Sequence, residues 1–152
     1  MPPIRNEAAK LAAGEYLALA DHDDMLAPHA VYCMSKALAE SGAAFAYSDE
    51  ALFEKTPEHP RVGHFKPDYA PEYLMAVNYI CHLAVFKKIA ASTTVGGERP
   101  ACDGAQDHDL FLRIIDEMQR RDPRSQAAAH PAGAVLLARA RRRPPAAAQR
   151  PS

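Results

Sequence analysis

Tryptophan is absent from this chain of 152 residues, and cysteine occurs only three times. Three scattered cysteines without a C-x-x-C pair exclude a disulfide scaffold or a zinc ribbon, and they suit a reducing compartment. No run of about 18 apolar residues is present, so no membrane-spanning helix is predicted. The N-terminal residues also lack the apolar centre of a secretory signal. The balance of 48% hydrophobic and 24% charged residues is typical of one globular domain.

Acidic residues are missing from the C-terminal fifth of the chain. Residues 1–122 carry all 19 acids against 12 Lys and Arg, which gives a net charge of −7. Residues 123–152 contain six Arg, ten Ala and five Pro and no acid, which gives a net charge of +6. We therefore expect a domain at 1–122 and an Ala-, Arg- and Pro-rich tail at 123–152, which is either disordered or translated from a shifted reading frame.

Short apolar runs alternate with helical patterns across residues 1–122, which predicts an α/β sheet with flanking helices. The first run lies between a glycine and an acidic cluster, which favours a buried parallel strand. In the second helix, Val31, Met34 and Leu38 form an apolar stripe at helical spacing. The predicted strands are 15–20, 44–48 and 80–86, the predicted helices are 5–13, 28–42, 71–77 and 105–121, and the predicted loops include 56–67 and 96–104.

The first candidate site is the sequence Asp21-His22-Asp23-Asp24, which follows the first predicted strand. Ligands of α/β sheets bind at the carboxyl ends of the strands. Two carboxylates at i and i+2 in a turn can face one point, and hard cations such as Mg²⁺ and Mn²⁺ prefer oxygen ligands beside a substrate phosphate. The alternative is a turn that caps the next helix, where Asp is also favoured. Both interpretations fit these four residues.

The second candidate is Asp107, which lies at the start of the predicted helix 105–121. A carboxylate held near a hydroxyl can accept its proton as a general base. Acids are also common in the first turn of any helix, where they complement the helix dipole. From this residue alone, the second explanation is favoured.

Zinc and nucleic acid are poorly supported by the sequence. Of the seven histidines, only His22 and His108 lie between two acids. Cys81 and His82 are neighbours on a predicted strand, so their side chains are expected on opposite faces and cannot chelate one ion together. The basic run at 139–143 has no aromatic partners and indicates nucleic acid only weakly.

Taken in order, seven segments resemble the family 2 glycosyltransferases, which are inverting enzymes with the GT-A fold. The motif sequences are most similar to those of bacterial members that build surface polysaccharide or O-antigen chains, and the resemblance spans roughly residues 4–117. The matching segments are Arg5-Asn6, GEYLALADHDDML at 14–26, YSDE at 47–50, FKPDY at 65–69, NYICH at 78–82, VGG at 95–97 and DGAQDHDLFLR at 103–113.

The resemblance implies a site for a nucleotide-sugar donor whose nucleotide is UDP, GDP or dTDP. Asp21 and Asp23 match the metal-binding D-x-D motif, with Asp24 alongside, and would hold Mn²⁺ or Mg²⁺ against the donor diphosphate. Asp107 matches the base that deprotonates the acceptor hydroxyl. Gln106 stands where many members have a Glu before that base.

Two further pairs of residues take roles from the same resemblance. Arg5 and Asn6 match a helix start close to the nucleotide, and Asp49 and Glu50 match residues near the donor sugar or the acceptor. The implied reaction is a direct displacement at the anomeric carbon without a covalent intermediate. A glycan or lipid-linked acceptor, a cytoplasmic location compatible with peripheral association at the inner face of the bacterial membrane, and no nucleic-acid partner are also implied.

The pattern of the family extends past both ends of this chain. Members begin with a strand of the V-S-V-I-I-P type and a βαβ unit that holds the nucleotide base, so we expect a partial, Rossmann-like GT-A sheet that lacks this half. Members end with His-Ile-Pro and later Trp-Arg, and the sequence AHPAGAVLLAR at 129–139 permits these residues when its codons are shifted by one base. We therefore expect negligible sugar transfer by the chain alone.

Two other functions remain open from the sequence. One is a non-catalytic remnant with no specific activity. The other is a basic-tailed protein that binds nucleic acid or an acidic membrane surface, with an affinity that depends on salt and on residues 123–152.

Overall fold

The computed structural model describes residues 4–53, 62–130 and 136–139 of the chain. Helices α1 to α4 comprise Ile4–Leu11, Ala30–Ser41, Pro71–Ala76 and Gln106–Arg121. Strands β1 to β4 comprise Tyr16–Leu19, Asp24–Leu26, Phe45–Ser48 and Glu50–Phe53. Strands β5 to β8 comprise Val62–His64, Ala84–Lys87, Ala128–His130 and Leu136–Arg139. A π-helical turn at Ala90–Thr94 and a 3₁₀ turn at Pro100–Cys102 lie between β6 and α4.

The first sheet has the strand order β1-β6-β3-β7. Strand β6 pairs antiparallel with β1 and with β3, whereas β7 pairs parallel with β3. The carboxyl ends of β1 and β3 therefore lie at the same end of the sheet as the start of β6. The irregular segment 80–83 enters β6 at this end, which brings it beside the acids that follow β1 and β3.

The second sheet has the strand order β2-β8-β4-β5 and continues from the first along the chain. Strand β1 leads to β2 through the turn at residues 20–23, and β3 leads to β4 across Asp49. The acids of the turn after β1 and Asp49 therefore lie where the chain passes from one sheet to the other.

One face of the first sheet packs against α4. Side chains alternate between the two faces of a strand, and Phe45 and Phe86 point to the same side as Phe111 and Ile114 of α4. The rings of Phe45 and Phe111 meet edge to face, with centroids 5.3 Å apart. This aromatic contact fixes α4, and with it the helix start that carries Asp107, against the sheet.

The opposite face of the first sheet packs against α2. Ala46 and Val85 contact Met34 and Leu38 of this helix. Helix α2 ends at Gly42, whose φ of 67° suits glycine and whose amide donates to the Leu38 carbonyl at 3.0 Å. The first sheet is therefore a layer between α2 and α4.

The predicted α/β class, a partial sheet with flanking helices, is confirmed, but three local expectations are wrong. Strand β1 is a half-buried edge strand that pairs antiparallel, because β6 rather than a parallel neighbour lies beside it. The strand expected at 80–86 begins only at Ala84, because the φ of Cys81 is 43° and interrupts the extended chain. On α2, Val31 was expected in the apolar stripe but is 67% exposed, and Ala30 is buried in the core instead.

The predicted tail contains short strands. Strand β7 pairs with β3, and β8 pairs with β2 and β4. These short runs pair with strands of both sheets, and the expectation that the tail is disordered or translated from a shifted frame stays a prediction. The division of the chain at residue 122 stays a prediction, and the basic run beyond 139 lies outside the described residues.

Two further expectations concern segments that the structure covers only partly. Residues 56–61 of the predicted loop 56–67 lie outside the described residues, whereas β5 forms an antiparallel pair with β4. Within 4–53, 62–130 and 136–139, no helix has both the length and the apolar character needed to cross a bilayer.

Candidate active site

Charged side chains from five parts of the fold converge at one end of the first sheet. They come from the start of α1, the turn after β1, the irregular segment before β6, the loop before α4, and the first turn of α4. The converging residues are Arg5, Asp21, Asp24, His82, Glu98 and Asp107.

Arg5 contacts three of these acids at once. Its Nη2 lies 3.1 Å from Asp21 Oδ1, and its Nη1 lies 3.2 Å from Glu98 Oε1 and 2.5 Å from Asp107 Oδ1. Burial opposes the charge, but Asp107 and Glu98 outweigh it and raise the pKa of Arg5. Burial raises the pKa of Glu98, and Arg5 opposes that shift. One guanidinium therefore joins the predicted metal turn to the predicted base.

His82 occupies the centre of the acidic group, although the sequence did not mark it. Its Nε2 lies 3.6 Å from Asp107 Oδ2 and 3.7 Å from Asp21 Oδ1, and its Nδ1 lies 3.5 Å from Asp24 Oδ2. These separations exceed ordinary hydrogen-bond lengths, and Nε2 is buried without a hydrogen-bond partner among the described residues. Asp107 raises the pKa of His82, while burial opposes the shift.

Asp107 lies between two basic groups in the first turn of α4. Arg5 approaches one of its carboxylate oxygens and His82 approaches the other. Burial opposes its charge, but His82 and Arg5 outweigh burial and hold the pKa of Asp107 below its ordinary value. The carboxylate is therefore ionised at neutral pH, which is the form that a general base requires.

Asp21, Asp24 and His82 have the chemistry of a divalent-cation site. One ligand atom from each lies within 4.8 Å of the others. Two carboxylates and an imidazole suit Mn²⁺, and the carboxylates also suit Mg²⁺. Burial raises the pKa of Asp24, against the opposing effects of the Asp21 amide and His82. Asp23, the second acid of the predicted D-x-D, lies in the same turn but is not one of these three residues.

Asn6 anchors the start of α1 to the loop before α4. Its Nδ2 donates to the Glu98 carbonyl at 2.9 Å, and its Oδ1 accepts from the Glu98 amide at 2.8 Å. Gly97 permits this approach, because a Cβ at that position would lie 2.4 Å from Asn6 Oδ1. Asn6, which was predicted to lie near the nucleotide, therefore holds the backbone of Glu98, whose side chain pairs with Arg5.

A second ion-pair network supports the same loop from α4. Arg113 donates to the carbonyls of Val95 at 2.6 Å and Gly97 at 2.7 Å, and to Asp109 Oδ2 at 2.6 Å. Arg99 also pairs with Asp109. Burial opposes the charge of Asp109, but Arg99 and Arg113 outweigh it and lower its pKa to about 2. The i,i+4 spacing of Asp109 and Arg113 is a signal from which sequence reasoning could have found this pair.

Asp49 and Glu50 surround a buried lysine. Asp49 is 3% exposed, and its Oδ1 accepts from the Lys66 amide at 2.7 Å. Glu50 Oε1 lies 2.8 Å from His64 Nδ1, and its Oε2 lies 3.7 Å from Lys66 Nζ. Both acids therefore support Lys66, a residue that the sequence analysis did not select.

The two histidines that the sequence placed beside acids contribute less. His22 is exposed in the turn after β1. The His108 Nε2 forms a 2.5 Å hydrogen bond with the Leu74 carbonyl, which ties α4 to α3. Neither is part of the group formed by Asp21, Asp24 and His82.

A cavity of about 540 Å³ opens beside Arg5. It lies between α1, β1 and the turn after β6, and small or apolar residues such as Ala8 and Leu17 form much of its wall. Arg5, Gly97 and Glu98 contribute its polar side. The cavity therefore adjoins the charged cluster through Arg5.

Comparison of sequences finds relatives much longer than this chain, and no family model matches it. Uncharacterized protein y4gI of Sinorhizobium fredii is 40% identical over 122 residues, which is 80% of this chain and 13% of that protein. The O-antigen biosynthesis protein RfbC of Myxococcus xanthus is 36% identical over 112 residues, which is 73% of this chain and 9% of that protein. The chain thus spans about a tenth of the length of these relatives.

Comparison of structures finds the same fold in S. aureus TarS. The TarS 1–349 complex with UDP-GlcNAc matches with a TM-score of 0.66 and 13% identity, and covers 91% of this chain and 38% of that chain. A second structure of TarS 1–349 matches with a TM-score of 0.61 and 12% identity, and the match covers 89% of this chain and 39% of that chain. The chain therefore shares the α/β fold of TarS 1–349, and its sequence relatives include a protein of O-antigen biosynthesis.

Proposed function

We propose that this chain is part of a metal-dependent, inverting glycosyltransferase of family 2 with the GT-A fold. The observation that carries the proposal is the Arg5 guanidinium, which contacts Asp21 after β1 and Asp107 at the start of α4. A transferase needs a cationic group for the leaving diphosphate next to a base for the acceptor, and these residues bring both together. The TarS-like fold and the O-antigen relative support the same class.

The donor side of the site has two sources of positive charge. Asp21, Asp24 and His82 would hold Mn²⁺ or Mg²⁺, with Asp23 of the D-x-D in the same turn. Such an ion, when bound, offsets the negative charge of a diphosphate leaving group. Arg5 lies beside Asp21, and its planar guanidinium suits phosphate oxygens. A UDP-sugar is the first donor to test, with GDP- and dTDP-sugars as the alternatives.

The acceptor side centres on Asp107. An acceptor hydroxyl gives its proton to the Asp107 carboxylate while its oxygen forms a bond to the anomeric carbon of the donor sugar. The bond from that carbon to the diphosphate breaks, and the nucleoside diphosphate leaves with the electron pair. Attack opposite the leaving group inverts the anomeric configuration. Arg5 must move away from Asp107 Oδ1 before that oxygen can accept the proton.

The O-antigen relative supports a glycan or lipid-linked acceptor. We propose that the reaction takes place in the bacterial cytoplasm, with peripheral association at the inner face of the membrane. Asp49 and Glu50 are proposed to lie on the donor or acceptor side, and both contact Lys66.

Donor binding gives the first test. Calorimetric titration of the chain with UDP-GlcNAc should show binding that requires Mn²⁺ and runs through the diphosphate, and D21N should weaken it at least about tenfold because a ligand is lost. The matched control is D116N, which removes an exposed acid that pairs with Arg120 on α4 and should leave binding unchanged. Failure of UDP-, GDP- and dTDP-sugars alike to bind with Mn²⁺ would favour the non-catalytic remnant instead.

Transfer gives the second test. Any sugar transfer that the chain supports, to a glycan or to water, should fall by about 10²–10⁴-fold in D107N, because a general base contributes that much. Donor binding should persist in this variant. Equal transfer by D107N and the unmodified chain would refute the role of Asp107.

A further inference from the structure

Lys66 is an ammonium group buried beneath the candidate site. Its side chain is only 1% exposed, and its Nζ lies 3.7 Å from Glu50 Oε2. Burial lowers the pKa of Lys66, and Glu50 opposes that shift. A buried charge is unfavourable unless it is paired and hydrogen-bonded. The contacts of this ammonium group therefore indicate which parts of the fold it connects.

The other contacts of Lys66 Nζ are two main-chain carbonyls of one irregular segment. It donates to the Ile80 carbonyl at 2.5 Å and to the His82 carbonyl. The amide of Lys66 donates to Asp49. Lys66 therefore links Asp49, where the chain passes from β3 to β4, to the segment that carries His82.

That segment has a conformation that needs support from its surroundings. Cys81, between the two carbonyls, has a φ of 43°, which is unfavourable for a residue with a Cβ and persists only where neighbouring groups enforce it. The Cys81 amide donates to Asn78 Oδ1 at 3.2 Å. From outside the segment, the Ser48 amide donates to the Leu83 carbonyl at 3.1 Å, and Lys66 donates to the two carbonyls that flank Cys81.

Stability alone does not account for a charged group in this place. Replacement of a whole buried ion pair by well-packed apolar side chains of similar volume is often neutral or stabilising. Lys66 fixes the backbone on both sides of Cys81, and the next side chain, His82, projects between Asp21, Asp24 and Asp107. The direction of that imidazole depends on the backbone that Lys66 holds.

We propose that Lys66 is a positioning residue that holds His82 in place, so that cation binding by Asp21, Asp24 and His82 depends on a lysine that does not touch the ion. This inference rests on the proposed function. Groups that orient the ligands of a metal change its affinity by about 10–100-fold when they are removed.

Mn²⁺ binding tests the proposal without any measurement of activity. The K66M chain, which keeps the length of the side chain but not its donors, should bind Mn²⁺ about 10–100-fold more weakly by electron paramagnetic resonance of the free ion. Mn²⁺ should also broaden the NMR signals of the His82 imidazole less in K66M than in the unmodified chain. Circular dichroism should show the same folded fraction for both at the temperature of the titration.

The control is K36M, which removes an exposed lysine paired with Glu40 on α2 and should leave Mn²⁺ affinity unchanged. If K66M does not fold, K66Q decides the question, because its amide can still donate to one carbonyl and should give an intermediate loss. Unchanged Mn²⁺ affinity in folded K66M or K66Q overturns the role of Lys66 and leaves the proposed function standing. A wild-type chain that does not bind Mn²⁺ overturns both.

Discussion

The Arg5 guanidinium lies 2.5 Å from one oxygen of Asp107 and holds that carboxylate in an ion pair. Together with His82 it keeps the pKa of Asp107 low, although burial acts in the opposite direction. A carboxylate with a low pKa binds a proton weakly. Movement of Arg5 from Asp107 to a donor phosphate would therefore strengthen the base when the donor is present.

Removal of Arg5 should raise the pKa of Asp107. The shift is upward because the favourable contact with the ionised form disappears while burial, which disfavours that form, remains. Carboxyl-carbon NMR titration of R5A would measure it. In the control R120A, which removes an exposed pair with Asp116, the pKa of Asp107 should not change. An unaltered value in R5A would show that His82 alone controls this carboxylate.

The stability of the chain should depend on Asp109 at acidic pH. Its pKa is about 2 in the folded chain against an ordinary value of 3.8, because the contacts with Arg99 and Arg113 outweigh burial. A depressed pKa stabilises the folded chain above the ordinary value, and this contribution is lost as the pH falls through about 2. D109N, which cannot ionise, should be ~1–3 kcal/mol less stable at neutral pH. Its deficit should shrink between about pH 4 and pH 2.

Urea unfolding of the chain and D109N across this pH range measures the effect. D116N provides the comparison, since its pair with Arg120 is exposed and its loss should change the free energy of unfolding by only ~0.5 kcal/mol or less. A deficit of D109N that stays constant down to pH 2 would contradict the assignment.

Neighbouring glycines before α4 should respond differently to alanine. Gly96 and Gly97 have φ angles of 77° and 75°, so alanine is strained at both positions, at about 1–2 kcal/mol each. A Cβ on Gly97 would also meet Asn6 Oδ1 at 2.4 Å, whereas a Cβ on Gly96 has nothing within 4 Å. G97A should therefore lose more stability than G96A in urea unfolding. A similar loss of stability in both variants would mean that the Asn6 side chain can move away from position 97 at little cost in free energy.

The sequence indicated where the candidate site lies more closely than it indicated which residues form it. Acids after a strand indicate the carboxyl end of a sheet, and Asp21, which follows β1, meets Asp107 of α4 there through Arg5. Asp24 was predicted as a metal ligand alongside the D-x-D, and it lies beside His82, whereas Asp23 is not one of the three clustered residues. The turn between β1 and β2 decides which acids face inward, and sequence spacing does not specify that turn.

His82 could not be predicted because the expectation for its backbone was wrong. Residues 80–86 have the composition of a strand, and on a strand His82 would point away from Cys81. The positive φ of Cys81 ends that alternation, and antiparallel β6 begins at the end of the sheet where the acids lie. Both features depend on tertiary contacts such as those of Lys66, which local patterns do not reveal.

The core contact that places Asp107 can be tested by stability. Phe111 lies one turn after Asp107 on α4, is fully buried, and packs edge to face on Phe45. F111A should lose ~3–5 kcal/mol because it leaves a cavity against the sheet. F65A, which removes a ring that is 77% exposed, should change the free energy of unfolding by ~0.5 kcal/mol or less. Urea unfolding compares the two variants. If F111A were as stable as F65A, the sheet would not hold the start of α4, and the position of Asp107 would need another support.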